Sequence, residues 1–422
     1  MNQMRNWAGN YTYSARDYVE PESLEQVQHI VAQSARIKVL GSRHSFNGIA
    51  DTNATHLSLA KLNRVIELDI ANRRVTVEGG VRYGELGQYL HQNGFALHNL
   101  ASLPHISVAG ACATATHGSG DGNGNLSTAV YAMEMVKADG EAITLSRDEQ
   151  GDDFAGAVVG LGGVGVVTKI TLDVQPTFSV SQDVYDNLPF AALKDRLHQL
   201  FSGAYSVSLF TSWQSSVVNQ VWVKRRLSAS DAADRAPDAY YGALRANERR
   251  HPVPGHSSEN CSEQLGIPGP WHERLAHFRP EFTPSAGEEL QSEYFVAREH
   301  AYEALCAIDS MREQIAPLLH ISEVRTIAAD ELWMSPCYRQ HSVGIHFTWK
   351  DDRQEVRRLL PIIEQKLAPF NARPHWAKLF TMPPARLQSL YAKLPEFRQL
   401  LLRYDPQGKF RNGYLDTYIF GE

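Results

Sequence analysis

The sequence predicts an α+β protein of two domains, and three observations carry that reading. The chain has 422 residues, more than one ordinary hydrophobic core accommodates. Near Phe178 its texture changes from short strands and helices punctuated by small-residue turns to longer, more aromatic strands separated by amphipathic helices. The tail Asp405-Pro406-Gln407-Gly408-Lys409-Phe410-Arg411-Asn412 then returns to turn chemistry. Residues 1–176 are therefore assigned to the first domain and 177–384 to a second built on a mixed antiparallel sheet with helices on one face. Residues 385–422 rejoin the first.

The elements follow in order. Ser23 and Gln26 form a capping-box signature ahead of Leu24, Val27, Ile30 and Val31, which share one helical face. That helix leads into a strand, Ile37–Leu40. A strand pair, Arg64–Ile70 and Arg74–Glu78, precedes a helix over Tyr83–Gln92 that Gly94 ends. Asp139-Gly140 between Ala129–Ala138 and Glu141–Ser146 is a strong hairpin signal. Asp153–Gly160 reads as a short helix, and Gly162-Gly163-Val164-Gly165-Val166-Val167 enters the strand Thr168–Val174. In the second domain the expected strands are Ala204–Trp213, Asn219–Arg226, Leu290–Ala297, Ile321–Ile327, Ser342–Trp349 and Trp376–Phe380. Helices are expected over Arg298–Ile315 and Asp352–Leu367. The Ala-, Asp-, Pro-, His- and Gly-rich stretch Ser228–Pro284 reads as a long surface connection.

Composition narrows the function classes. Of the residues, 43% are hydrophobic and 21% charged, with a formal net charge of −6 and no long basic run, which argues against nucleic acid as a partner. Met1-Asn2-Gln3-Met4-Arg5-Asn6-Trp7 lacks the apolar core of a signal peptide, and no stretch reaches membrane-spanning length. Cys112, Cys261, Cys306 and Cys337 are scattered, so reduced thiols in a cytoplasmic protein are expected. His251, His256 and Cys261 have loose spacing, and no metal site is expected.

Two small-residue turns carry the cofactor signal. Gly41-Ser42-Arg43-His44-Ser45-Phe46 follows an apolar strand and presents an imidazole at its lip. The second is Ser107-Val108-Ala109-Gly110-Ala111-Cys112-Ala113-Thr114-Ala115-Thr116-His117-Gly118. Small side chains let backbone N–H groups approach a diphosphate, and a histidine beside such a cradle points to a clamped, covalently tethered cofactor. Candidate cofactor contacts are Gly41, Ser42, Arg43, His44, Ser45, Phe46, Ser102, Ser107, Gly110, Ala113, Thr114, Ala115, Thr116, His117, Gly162 and Val166. No Gly-x-Gly-x-x-Gly fingerprint follows a strand, which disfavours a nicotinamide dehydrogenase.

Polar residues interrupt three apolar segments of the second domain. The two-residue strand period puts Glu323 with Arg325, His346 with Thr348, and Trp376 with Lys378 on common faces. If their strands are neighbours, the five hydrogen-bonding side chains form one polar wall. Glu323 and Arg325 also fit an ordinary structural ion pair.

The two turns resemble the flavin-binding domain of the vanillyl-alcohol-oxidase family. With Asn6-Trp7-Ala8-Gly9-Asn10, Asn99-Leu100-Ala101-Ser102-Leu103-Pro104-His105, Glu323-Val324-Arg325-Thr326, His346-Phe347-Thr348-Trp349 and Arg373-Pro374-His375-Trp376-Ala377-Lys378, the chain resembles, in order and over nearly its whole length, the bacterial alditol (xylitol) oxidases of that family. The resemblance implies an FAD domain made from both chain ends, a central substrate domain, and covalent FAD on His44. It further implies a polyol site lined by Ser102, Glu323, Arg325, His346, Thr348 and Lys378. Arg43 departs from the glycine that often precedes the histidine; a positive φ there would strain it.

The expected function is oxidation of a terminal polyol hydroxyl to the aldose, with O₂ reduced to H₂O₂. Because hydride leaves more easily from an alkoxide, Arg325 and Lys378 are the candidate charge stabilisers. Glu323 and His346 are candidates for assisting proton removal. Ser102, Glu323, Arg325, Thr348 and Lys378 are the candidate substrate contacts. The alternatives are an aldonolactone oxidoreductase of the same family and a flavin-binding protein without turnover. The expected partners are a small polyol and O₂, and the expected state is a monomer.

Overall fold

The computed structural model describes residues 4–228, 236–279 and 289–422. Residues 1–3 of the amino-terminal stretch, and 229–235 and 280–284 of the expected connection, lie outside them.

The amino-terminal part builds a parallel and an antiparallel sheet, with a two-stranded ribbon pairing Phe95–Ala96 with Gln175–Pro176. Strands β1 (Asp17–Val19), β2 (Ile37–Val39) and β3 (Thr55–Leu57) form a parallel sheet in the order β1-β3-β2. Helix α1 (Leu24–Gln33) connects β1 to β2. Its N-cap Ser23 side chain accepts from the Gln26 N–H, and Val27 and Val31 are buried, so the capping signature marks its start correctly. Next come β4 (Val65–Asp69), β5 (Arg74–Glu78) and helix α2 (Tyr83–Gln92), followed by Gly94 at φ +81°. The short helix α3 (Val108–Ala113) precedes the hairpin of β6 (Val130–Val136) and β7 (Ala142–Ser146), and β8 (Val166–Asp173) completes an antiparallel sheet ordered β4-β5-β8-β6-β7. The helix expected from Asp153 begins earlier, spanning Arg147–Val158 with non-helical geometry at Gly151.

The second domain is one large antiparallel sheet. From the short pair Ala239–Tyr240 and Ala243–Arg245 it runs through β9 (Ser179–Pro189), then β11 (Val217–Leu227), which follows β10 (Ser206–Thr211) in the chain and precedes it in the sheet. Beyond β10 come β13 (Leu319–Ile327), β14 (Ser342–Lys350) and β12 (Glu289–Ala297), with Arg373–Pro374 at the edge. The side-chain alternation of strands divides the two faces. Val324 of β13, Val343, Ile345, Phe347 and Trp349 of β14, and Leu290, Tyr294 and Val296 of β12 pack into a cluster with helices Leu193–Ser202, Ala301–Asp309 and Arg353–Leu367. The intervening residues Ile321, Glu323, Arg325, His346, Thr348, Gln291 and Glu293 line a cavity on the opposite face.

The structure corrects three sequence expectations. Trp376–Phe380 is not a strand: Lys378 N–H donates to His375 C=O (3.1 Å) in a turn. Trp376 and Lys378 therefore do not share a strand face. Trp376 is 1% exposed and its indole N–H donates to Met334 C=O, whereas Lys378 opens onto the cavity. The long helix Arg298–Ile315 is broken into Ala301–Asp309 and Arg312–Ile315. The described part of the stretch expected to be a surface connection is substantially buried, with Cys261, Gln264 and Trp271 at 0% exposure. It folds back because Lys224, deep in β11, donates to the carbonyls of Arg274, Leu275 and Ala276 at 2.7, 2.6 and 3.1 Å. All three ammonium donors are thus satisfied without an anion.

The carboxy-terminal segment packs on the amino-terminal sheets. Lys38 donates to Gly162 and Phe410 carbonyls, and Lys409 to those of Val31 and Ala138. All four cysteines are unpaired thiols. No helix of the described residues is long and apolar enough to cross a membrane.

Candidate active site

The turn after β2 places His44 at the wall of a cavity of about 450 Å³. Arg43 holds φ +61°, so a side chain occupies a left-handed position that costs about 1–3 kcal/mol. Its carbonyl accepts from Trp7 N–H (2.9 Å), and the Trp7 and His44 rings lie 4.5 Å apart. Phe46 N–H donates to Ala377 C=O (2.7 Å), and Asn47 Nδ2 donates to the carbonyls of Trp376 and Lys378, each at 2.8 Å. The His44 turn and the Lys378 turn are thereby clamped together.

Behind His44 lies the second small-residue stretch. Ser107 N–H reaches Ser42 Oγ at 3.4 Å. A Cβ on Gly41 or on Gly110 would stand 2.8 Å from Ser107 Oγ, which is buried without a hydrogen-bond partner. A cradle that glycine alone leaves open, with an orphaned hydroxyl inside it, fits a diphosphate. Ala115 at φ +53° turns the chain so that Thr116 and His117 line the cavity. Gly162 (φ +67°) lies beside the buried Lys38. Ala113 and Gly162 line a separate small void with Val130, Met133 and Ile170, and two further candidates stand apart from the cavity. Val166 packs its side chain into an apolar cluster, leaving only its backbone for a ligand, and Phe46 supports the His44 ring from a neighbouring cleft.

His44 Nδ1 is buried and unpartnered. Burial, reinforced by His105 and Lys378, holds the imidazole well below its ordinary range. The ring is therefore neutral, with a lone pair available for bonding.

Across the cavity the expected polar wall is assembled. Glu323 of β13 and His346 of β14 are register partners, and His346 pairs in turn with Glu293 of β12. Arg325 Nη1 donates to Ser102 Oγ (3.3 Å) and Nη2 to Glu293 Oε1 (3.0 Å). Lys378 Nζ donates to Glu293 Oε2 (2.6 Å) and His346 Nδ1 (2.7 Å). His346 Nε2 stands 3.1 Å from Thr348 Oγ1. Ser102, Glu323, Arg325, His346, Thr348 and Lys378 all line the same cavity as His44.

Three members of this site, Glu293, His277 and His375, are not singled out by the sequence. Glu293 is 1% exposed and holds Lys378, Arg325 and His117 (Nε2 at 3.2 Å). Its only signal is a carboxylate in the middle of a strand, next to the apolar run Tyr294–Ala297. His277, brought in by the fold-back, donates from Nε2 to Glu323 Oε1 (2.8 Å), with Nδ1 buried and unpartnered. His117 and His375 complete the set; His117 was foreseen only as a cofactor contact. With Glu293 they form a buried group whose ligating atoms lie within 4.8 Å of one another, but a dication there would face Lys378 and Arg325.

The site is electrostatically balanced by two acids and two cations. Burial opposes ionisation of Glu293, yet Lys378, His117 and Arg325 hold it well below the ordinary carboxylate range. Burial likewise opposes Glu323, which Arg325 and His277 hold low. Burial lowers Lys378, with Glu293 working against that fall. His346 is pushed down to about 4 by burial and Lys378, and His277 to about 4 by burial and Lys224. Both histidines are neutral at physiological pH, and the ammonium donating to His346 Nδ1 leaves the proton of that ring on Nε2.

Comparison with known proteins places this geometry in context. Residues 15–146 match the FAD binding domain family, and residues 288–418 match the D-arabinono-1,4-lactone oxidase family. The chain is 46% identical to an alditol oxidase of Streptomyces sp., covering 99% of both chains. It is 27% identical to the L-gulonolactone oxidase of Mus musculus, covering 99% of this chain and 98% of the other. Cholesterol oxidase from Brevibacterium sterolicum has the same fold, with a TM-score of 0.77 at 14% identity over 99% of this chain and 96% of that one.

Proposed function

The chain belongs to the FAD-linked oxidoreductase family that contains alditol oxidase, and on that premise we propose that it oxidises the terminal primary hydroxyl of polyols such as xylitol or sorbitol to the aldose, with O₂ reduced to H₂O₂. The observation that carries this reading is the wall of Glu323, Arg325, His346, Thr348 and Lys378 across one cavity from His44. A linear row of hydroxyls needs alternating donors and acceptors, and that wall supplies both.

The cradle of Gly41, Ser42, Ser107, Gly110 and Thr114–Thr116 holds the diphosphate of FAD, and His44, neutral and with an unpartnered Nδ1, is its covalent anchor. Bound FAD supplies the hydride acceptor. Lys378 and Arg325 are fixed cations facing the carbinol, so negative charge developing on its oxygen is stabilised without reorganisation. Ser102 and Thr348 offer hydroxyls to the rest of the chain. Glu323, kept anionic by Arg325 and His277, accepts a substrate hydroxyl rather than exchanging protons. The small side chain of Ala101 on the cavity wall suits access of O₂. Four free thiols suit the reducing, cytoplasmic setting expected from the sequence.

A second reading, oxidation of an aldonolactone, is favoured by the match of residues 288–418 and by the L-gulonolactone oxidase relative. Peroxide production by the purified protein separates the two. Xylitol and sorbitol should release peroxide with the aldose as co-product. Release from L-gulono- or L-galactono-1,4-lactone alone would establish the second reading.

A further inference from the structure

We propose that Glu293 is a positioning residue for the oxidation, fixing the aim and the charge of Lys378 and Arg325 together, and this rests on the polyol reading given above. Its two oxygens divide the work: Oε2 takes Lys378 Nζ at 2.6 Å, and Oε1 takes Arg325 Nη2 at 3.0 Å. The three groups come from three separate segments, strand β12, strand β13 and the turn after Pro374. A single carboxylate therefore determines the distance between the two cations.

The strand between them makes room for this. Gly344 of β14 is the register partner of Arg325 on one side and Phe295 on the other. A Cβ on Gly344 would stand 3.2 Å from Glu293 Oε1. Glycine here lets Arg325 and Glu293 meet over the top of β14. The surrounding ionisable groups are His117, from the second small-residue turn, His346 from β14, His375 from the Lys378 turn, His44 across the cavity, and Glu323 beside Arg325. Among these Glu293 is the anion in direct contact with Lys378, so it carries the main weight in keeping that buried amine protonated.

The charge claim predicts behaviour that a merely structural acid does not show. The holoenzyme, E293Q, E293D, Lys378→Met and the double variant E293Q/Lys378→Met are compared. Flavin absorbance is titrated against pH without substrate, and flavin reduction by xylitol under argon is followed across the same range. Loss of the Lys378 proton gives an alkaline limb, separate from ionisation of the flavin's own N3–H, and this limb is absent in Lys378→Met. E293Q should move that limb to lower pH by about one unit or more in both measurements, with E293D between E293Q and wild type. E293Q should slow reduction at least ~10-fold in the wild-type background but no more than ~3-fold when Lys378 is already Met, since the two residues act as a unit. Equal slowing in both backgrounds with an unmoved limb would reduce Glu293 to a packing role. Should E293Q fail to take up flavin, an unmoved limb in E293D overturns the proposal equally. Failure of wild type to be reduced by any polyol counts against the substrate reading, and the substrate-free titration then still decides the charge claim.

Discussion

Glu323 and His346 face each other as register partners on neighbouring antiparallel strands, so an anion held by Arg325 and His277 stands beside an imidazole held by Lys378. Substrate recognition and charge stabilisation therefore share one rigid sheet, where positions are more exact than on loops. The pairing also sets a test. Glu323→Gln removes the acceptor charge while nearly preserving shape. If Glu323 reads a substrate hydroxyl, kcat/KM for xylitol should fall by ~10-fold or more while the melting temperature and flavin content stay close to wild type. A large drop in melting temperature with kcat/KM unchanged would mark a structural ion pair instead.

His44→Ala should keep the fold and lose the covalent cofactor. The wild-type protein, denatured and run on a gel, should retain yellow flavin fluorescence, and the variant should not. Flavin released from wild type by acid precipitation would contradict the linkage.

Gly110→Val should abolish flavin loading. The added Cβ stands 2.8 Å from the buried Ser107 Oγ, and the branched side chain fills the space that the diphosphate needs. The ratio of flavin to protein absorbance measures this, and a normal ratio in the variant would show that the cofactor lies elsewhere.

Lys378→Met keeps much of the apolar stem and removes the ammonium. Removal of such a donor costs on the order of 10²–10³ in rate, so anaerobic reduction by xylitol should slow by that factor with flavin still bound. A rate within a few-fold of wild type would leave Arg325 alone as the stabiliser.

Acid should destabilise the protein through its buried histidines. His346 and His277 titrate at about 4 in the folded chain against 6.5 for a free imidazole. Between those values the unfolded chain binds more protons, so their contribution is complete above about pH 6.5 and is lost as pH falls toward 4. Melting temperature should therefore decline as pH falls below about 6.5, with a shallower decline in His277→Gln. An unchanged slope in the variant would exclude His277 from this linkage.

Much of this site was legible because strands alternate. Glu323 with Arg325 and His346 with Thr348 stand out as polar pairs in apolar strands, and the two-residue period aligns them correctly. Lys378 was found through the wrong local structure. Its segment is a turn hung from β12 by His375 N–H donating to Glu293 C=O, a tertiary anchor with no local signature. His277 is hidden because the composition of its segment resembles a loop, and it is turned inward by distant partners, Lys224 and the Ser102 carbonyl among them. Glu293 is not legible because an acid within a strand has no visible partner until three strands and a turn converge on it.

The central claim is tested most directly by mixing the purified protein with xylitol under argon and following the flavin absorbance. Rapid bleaching by xylitol or sorbitol, recovery of colour on admitting O₂, and little effect of L-gulono-1,4-lactone are the predicted result. A spectrum unmoved by polyols but bleached by the lactone would contradict it.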